Sequence, residues 1–524
     1  MLPPEYLRDL PERILALYDT AEETILRDMA RRIAAYDYWI SAAEHQAARL
    51  LEAGRTQEEI LQTLSGLTGR TQEELKRMMQ EAGARSLRSD VAIYRNAGMT
   101  VPDEPSSTLR KLLIAGYRAT LGEMKNLCRT TAQTATKQFE DALDLAWLQI
   151  QSGAFDYNSA IRNAIGALAG HGITAIRYPS GHTDSIEVAV RRATVTGVNQ
   201  TCCKLQWELS DELGCDLVEV SAHAGARPEH ALWQGKVYSR SGKSKKYPDF
   251  RTATGYGTGA GLGGWNCRHS FAPYVEGAPR IYSAEALAEM ETPKYEYNGG
   301  QLTEYEAQQQ QRANEREIRR RKREYVALDA AGLDTSEAAV GLKTAREKQS
   351  DFLRKTGLKQ QRDRELSAGF GRQEAVKANS EIAHIEKEAN RLFRLGSTSA
   401  NVNMYLQEKT LIDKLHSNGV KYMQRINSEE IIVEAGKPRI VAVRQHARDN
   451  LEKKPDRAEM TTERAQTFVD EAKLVLYQVP RETLKFLAQE GYTVLNLQHE
   501  LVTAVPQKWK KKYDKYLGGS NETS

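Results

Sequence analysis

Apolar positions recur every three or four residues over the first part of the chain. Ile14, Leu17, Ala21, Ile25, Met29, Ile33, Tyr36 and Ile40 fall on one stripe, which predicts a long amphipathic helix. Gly54-Arg-Thr-Gln-Glu-Glu-Ile60 then returns almost verbatim as Gly69-Arg-Thr-Gln-Glu-Glu-Leu75. Each copy reads as a boundary. The glycine ends one helix, Thr56 or Thr71 caps the next, and Glu59 or Glu74 closes a capping box three residues on. A further helix is expected over 107–151, with Leu112, Leu113, Leu121, Phe139, Leu143, Ala146, Trp147 and Ile150 turned inward and the polar stem 130–136 exposed.

From Tyr157 the texture changes. Residues 160–169 read as a short helix ended by Gly170-His-Gly172, 173–178 as a strand, 183–213 as helix and 215–220 as a buried strand. After Pro279 a polar helical pattern runs over 283–356, interrupted near 295–300 and near Gly332. Its portion 308–322 has almost no apolar side chain, as in a solvated spacer or a helix whose stripe docks on a partner. Beyond it, 422–435 and 439–443 read as strands. Residues 461–478 read as a helix with Ala465, Phe468, Val469, Ala472 and Val475 inward, and 492–497 and 500–505 as paired strands.

The expected fold class is therefore an α+β multidomain protein. A mainly helical part covers 1–156, a compact α+β centre 157–279, a long polar helical spacer 280–396, a small α+β unit 397–517, and a disordered tail 518–524. A length of 524 residues suits two to four domains.

Composition narrows the function classes. The 74 basic and 70 acidic residues leave a net charge of +4, so only local clustering could mark a nucleic-acid binder. No run of about 18 apolar residues is present, so no membrane span is expected. The start, Met1-Leu-Pro-Pro-Glu-Tyr, lacks the basic-then-apolar order of a signal peptide. Five cysteines, an odd number in a long chain, point to a reducing compartment and synthesis in the cytoplasm.

Candidate chemistry concentrates in the centre. Ser221-Ala-His-Ala-Gly-Ala-Arg-Pro-Glu-His230 and Gly263-Gly-Trp-Asn-Cys-Arg-His-Ser-Phe271 hold three of the ten histidines. His223, His230, Cys267 and His269 supply four zinc-type ligands, and on a strand Cys267 and His269 would share a face. The spacing matches no zinc knuckle. The reading favoured here is a polar core in which His223, Arg227, Asn266 and Arg268 bond to loop carbonyls; zinc stays open as the one candidate cofactor. Acid–base cleavage of a phosphodiester by the three histidines with Arg227 and Arg268 is a third reading, without a nucleophile to fix it.

Gly255-Tyr-Gly-Thr-Gly-Ala-Gly-Leu-Gly-Gly264 lacks the Lys-Ser/Thr of a phosphate loop and reads as a close-packed connector. No small-molecule substrate is expected. Arg319, Arg320, Arg321, Lys322 and Arg323 form a basic run. Interleaved with Glu315, Glu317 and Glu324 it reads as a solvated helix, with DNA contact as the alternative. Residues 509–515, Trp-Lys-Lys-Lys-Tyr-Asp-Lys, suggest a terminal amphipathic helix.

Ser221-Ala-His, Arg227-Pro, His230, Trp233-Gln-Gly and Asn266-Cys-Arg-His resemble the core of the phage minor capsid protein 2 family, relatives of the Mu F-like head-morphogenesis proteins. The likeness is most specific over 173–277. It implies a minor structural component of the phage head, in the virion, made in the bacterial host and partnered by the portal protein, the major capsid protein and phage DNA. It also implies that His223, Arg227, His230, Trp233, Cys267, Arg268 and His269 are signature positions, with no settled catalytic role. The C-terminal unit looks like the small barnase, EndoU, colicin and RelE-type ribonuclease domains attached to such proteins. That likeness makes His446, Arg444 and Thr503 candidates for metal-independent RNA cleavage.

Overall fold

The computed structural model describes residues 1–153, 155–393, 398–445, 447–449 and 460–517. They form two compact units, Met1–Ala378 and Asn379–Ser524. The tail expected at 518–524 lies outside the described residues.

The first unit opens with α1 (Pro4–Asp9) and α2 (Glu12–Ala35). Ile14, Ala21, Ile25, Met29 and Ile33 of the predicted stripe are buried on α2, and the helix stops at Ala35 because Tyr36 is extended. Next come α3 (Ala42–Gly66) and α4 (Thr68–Asn96), where the sequence reading is corrected. The helices run straight through Gly54, Thr56, Gly69 and Thr71, and the break falls at Leu67. Thr56 and Thr71 are buried inside helices, and Glu59 and Glu74 pair with Arg32 and Arg77 instead of closing caps. An acidic residue three positions after a threonine suits a helix interior as well as a cap, so the motif alone does not locate an end.

The longest helix, α5 (Ser107–Gln151), starts where Ser106 accepts the Leu109 amide. Phe139, Leu143, Ala146 and Ile150 are buried as expected, but so are Thr131, Ala132 and Ala135 of the stem expected to be exposed. The half-buried Thr134 and Thr136 satisfy their hydroxyls within the helix, on the Thr130 and Ala132 carbonyls, whereas among the described residues the buried Thr131 hydroxyl has no hydrogen-bond partner. The helix packs along α6 (Tyr157–His171) and α7 (Ile186–Glu212), with the hairpin β1 (Thr174–Arg177) and β2 (Thr183–Ser185) between them in sequence. The approach to α7 is close and reciprocal: a methyl at Gly116 would overlap Thr201, and one at Gly197 would overlap Thr120.

The centre is a three-stranded antiparallel sheet in the order β4-β3-β5, from β3 (Leu217–Val220), β4 (Val237–Ser239) and β5 (Phe271–Pro273). Two short helices, α8 (Pro228–Ala231) and α9 (Phe250–Thr254), sit in its connections. Beneath the sheet Cys203, Val218, Val220, Trp233, Phe250, Leu262, Cys267 and Phe271 form one apolar cluster.

The polar stretch after Pro279 resolves into α10 (Ala284–Glu291), the hairpin β6 (Tyr295–Tyr297) and β7 (Gly300–Leu302), α11 (Glu304–Ala330) and α12 (Ser336–Thr356). Residues 308–322 lie on α11, and this helix is docked, not a solvated spacer. It packs on α2, α6 and α12 and buries Gln311, Asn314, Glu315, Ile318 and Lys322. Polar side chains can face a protein interior when their groups find partners there: Gln311 donates to the Lys359 carbonyl and Lys322 to the Glu365 carbonyl.

Helix α13 (Arg372–Phe393) spans the boundary between the units, and α14 (Thr398–Ser417) follows. The second unit carries a seven-stranded sheet, β10-β14-β13-β12-β11-β9-β8, antiparallel except for the parallel pair β10 and β14. Its strands are β8 (Lys421–Arg425), β9 (Glu430–Glu434), β10 (Ala442–Val443), β11 (Leu474–Gln478), β12 (Thr483–Leu487), β13 (Gly491–Asn496) and β14 (Glu500–Pro506). The helix expected over 461–478 is shorter. Helix α15 (Thr462–Asp470) buries Ala465, Phe468 and Val469, and the chain then becomes β11, which carries Val475. The terminal amphipathic helix expected over 509–515 is only a 3-10 turn, Lys511–Tyr516. Among the described residues no helix is long and apolar enough to cross a membrane.

Candidate functional site

The signature residues converge where β3 and β5 leave the central sheet. Ser221 and Ser270 continue the pairing of the two strands: the Ser221 amide donates to the Ser270 carbonyl at 2.9 Å, and the Ser270 amide to the Ser221 hydroxyl at 3.0 Å. This register brings the segment after β3 and the segment before β5 side by side. Pro228 then starts α8, whose single turn carries His230 inward. On the other side Asn266 takes a left-handed conformation (φ 53°), which turns Cys267 into the core (2% exposed) while Trp265 stays outside (61%).

Three ligand-type atoms meet there. His230 Nδ1 lies 3.4 Å from His269 Nδ1, and Cys267 Sγ lies 3.6 Å from His269 Nδ1 and 3.7 Å from His230 Nδ1. The outer ring nitrogens are held elsewhere. His230 Nε2 is 2.8 Å from the Ala260 carbonyl, and His269 Nε2 is 3.0 Å from Gln234 Oε1. Asn199, fully buried on α7, donates to the carbonyls of both Cys267 and His269 and fixes that segment. Trp233 covers the two imidazoles, its ring 4.5 Å from His230 and 4.7 Å from His269.

His223 stands beside this trio and not within it. Its ring stacks on His269 at 4.7 Å, and its Nδ1 is 2.9 Å from the Ala224 carbonyl, to which it donates. Arg268 Nη2 lies 3.5 Å from the same nitrogen, which has no lone pair left to accept once its proton points at Ala224. Burial holds all three histidines below the ordinary imidazole range, His223 at about 4 with Arg268 adding to the effect. Burial likewise raises the Cys267 thiol.

The Gly-rich stretch is a buttress for this site. A side chain at Gly261 would collide with the backbone of Gly255, and one at Gly264 with the backbone of Gly259, so the loop closes on itself without room for a Cβ. It thereby presents the Ala260 carbonyl to His230.

The cluster lines a cavity of about 450 Å³ with a cationic wall. Arg227 donates to the Trp265 carbonyl, Arg268 to the Gly225 carbonyl, and Arg312 to the carbonyl and side chain of Gln308. None of these acceptors is a carboxylate. Burial, reinforced by Arg312, lowers Arg268 to about 10, and burial raises Glu315 in the same wall to about 7.

The basic run is used internally. Arg319 pairs with Glu187 at 2.9 Å, Arg320 and Arg321 with Glu317, Lys322 donates to the Glu365 carbonyl, and Arg323 to the Ala169 carbonyl. None of the five is exposed. In the second unit Arg444 pairs with Glu500 at 2.9 Å and its amide bonds to β14, the strand that carries Thr503. His446 lies outside the described residues. Sequence reasoning missed Asn199, the Ala260 carbonyl and Arg312. A lone asparagine in a helix and a backbone oxygen leave no signature in sequence.

Residues 2–354 match the family described as Phage minor capsid protein 2. The chain belongs to that family. The match takes in every central residue named above. A curated relative, the "Structural protein" of Lactococcus phage LL-H, is 29% identical over 203 residues, 38% of this minor capsid protein 2 chain and 52% of the relative. The chain thus spans about half the length of that relative. No solved structure matches it. Family and relative agree on its class, a structural protein of phage.

Proposed function

We propose that this chain is a minor component of the phage head that associates with the portal and takes part in head assembly or DNA delivery. The observation that carries the reading is the extent of the family match, 2–354, which takes in nearly all of the first unit, Met1–Ala378. The family resemblance therefore belongs to a whole folded body and not to an isolated motif.

Its partners in this reading are the portal and major capsid proteins, with phage DNA a third. The cationic cavity supports the third. Among the described residues the hydrogen bonds of Arg227, Arg268 and Arg312 go to neutral oxygens, so a phosphate group would offer them a charged acceptor. Synthesis in the host cytoplasm and residence in the virion complete the reading.

The test is co-purification with the portal. The full chain and the portal protein, co-expressed without other phage proteins, are expected to leave a sizing column together. Particles assembled without a portal are expected to lack the chain. No complex, with equal incorporation into portal-free particles, would overturn the reading.

A further inference from the structure

We propose that His230, Cys267 and His269 bind one zinc ion, the histidines through Nδ1 and the cysteine through its thiolate, with a fourth coordination position left to water or another non-protein donor. The separations of the three atoms fit such an ion. Zinc bonds of about 2.0–2.1 Å to nitrogen and about 2.3 Å to sulfur, in tetrahedral array, place two nitrogens about 3.3–3.4 Å apart and nitrogen and sulfur about 3.6 Å apart. The three observed separations are 3.4, 3.6 and 3.7 Å. These three ligand atoms also form the metal-capable group found among the described residues.

The ring protons point the same way. A carbonyl oxygen only accepts, so His230 Nε2 must donate to Ala260. Gln234 Oε1 also receives the His223 backbone amide at 3.0 Å, which identifies it as the oxygen of that side chain, so His269 Nε2 donates as well. A neutral imidazole with its proton on Nε2 has a bare lone pair on Nδ1. Two such lone pairs therefore face each other across 3.4 Å in a buried site. A polar core would leave them opposed, because one thiol proton can serve only one of them. A shared cation satisfies both.

The surroundings agree. Metal-bound histidines characteristically donate their other ring N–H to a carbonyl or carboxylate oxygen, which sets tautomer and orientation. Ala260 and Gln234 take that part here. A thiolate with two imidazoles favours zinc over the oxygen-seeking magnesium, calcium or manganese. Three protein ligands with an open fourth position is an arrangement zinc adopts, and the same three residues line the cavity in which the fourth donor would sit. On binding, the sulfur–zinc bond replaces the sulfur–hydrogen bond of Cys267 and one proton leaves to solvent.

The test uses the full chain and metal alone. Elemental analysis after zinc incubation and desalting is expected to give about one zinc per chain, falling about tenfold in Cys267→Ser and in His230→Gln. Zinc-edge absorption is expected to fit one sulfur at about 2.3 Å and lighter atoms at about 2.0–2.1 Å. The cobalt(II)-loaded chain is expected to show a sulfur-to-cobalt charge-transfer band with intense tetrahedral ligand-field bands. Should a variant fail to fold, the wild-type absorption and cobalt spectra decide. A folded, cooperatively melting wild-type chain without stoichiometric zinc, a fit that needs two sulfurs, or full zinc in a folded Cys267→Ser would overturn the proposal.

Discussion

His230 and His269 aim their Nδ1 atoms at each other across 3.4 Å while their Nε2 atoms are tied to Ala260 and Gln234. The relationship is built from three separate stretches of chain: α8, the Gly-rich loop, and the segment entering β5. Each is locally specified, by Pro228, by glycines that exclude a Cβ, and by the left-handed Asn266.

Gln234 is the shared acceptor of the His223 amide and His269 Nε2. Gln234→Leu is expected to weaken zinc binding about 10- to 100-fold, the usual effect of removing a group that orients a metal ligand. Competition with a chromogenic chelator measures it. Unchanged affinity would leave His269 without a need for its partner.

Two glycines should respond oppositely to alanine. Gly261→Ala places a methyl against the Gly255 backbone, which has no flexible end to move, and should cost about 3 kcal/mol, as overpacking does. Gly54 lies exposed within α3 with nothing near its missing Cβ, so Gly54→Ala should stabilise the fold by about 0.5–1 kcal/mol. Denaturant melts of both variants check this. A destabilised Gly54→Ala would restore the helix end that the repeat suggests.

The basic run is expected to act on stability and not on nucleic-acid retention. Arg319→Ala removes the partner of Glu187 and the donor to the Arg364 carbonyl and should cost about 1–3 kcal/mol. The salt dependence of DNA retention should not change. Neutralising Arg227 and Arg312 together should flatten that dependence, since the slope falls by about one unit for every phosphate no longer neutralised. Retention on a DNA column across a salt gradient separates the two outcomes.

Glu315 gives a pH signature. Burial raises its carboxyl to about 7, above the ordinary carboxylate range, so the folded state keeps a proton that the unfolded chain has already released. Its contribution to stability is therefore full at low pH and is lost as pH rises toward 7, by about 3 kcal/mol at most. Glu315→Gln should match wild type near pH 4 and exceed it at pH 8. Equal melting temperatures of the two at pH 8 would mean that the carboxylate is fully compensated.

Legibility in the sequence follows the range of the forces involved. The ends of helix α5, Ser107 and Gln151, are readable because its stripe is local, whereas the burial of Thr131, Ala132 and Ala135 in its stem is not. The repeat at Gly54 and Gly69 misleads, since capping chemistry also fits a helix interior and only the packing of Ile60, Leu64 and Leu75 keeps the helices continuous. Ala472 and Val475 keep helical spacing, which makes 461–478 look like one helix. Pairing of β11 with β9 and β12, a long-range event, claims Val475 for the sheet. The sequence leaves 308–322 open between a solvated spacer and a docked helix for the same reason: its partners at Lys359 and Glu365 lie some forty residues on. In the site, residue type reveals the histidines and Cys267, whereas the exclusion of His223 from the trio depends on a ring orientation that no spacing encodes.

Residence in the phage head is the proposal on which the rest depends. Quantitative mass spectrometry of gradient-purified procapsids and mature virions decides it. The chain is expected in both, at a small fraction of the major capsid protein's copy number. Its absence from both particle types, while it remains abundant in infected cells, would refute a place in the head.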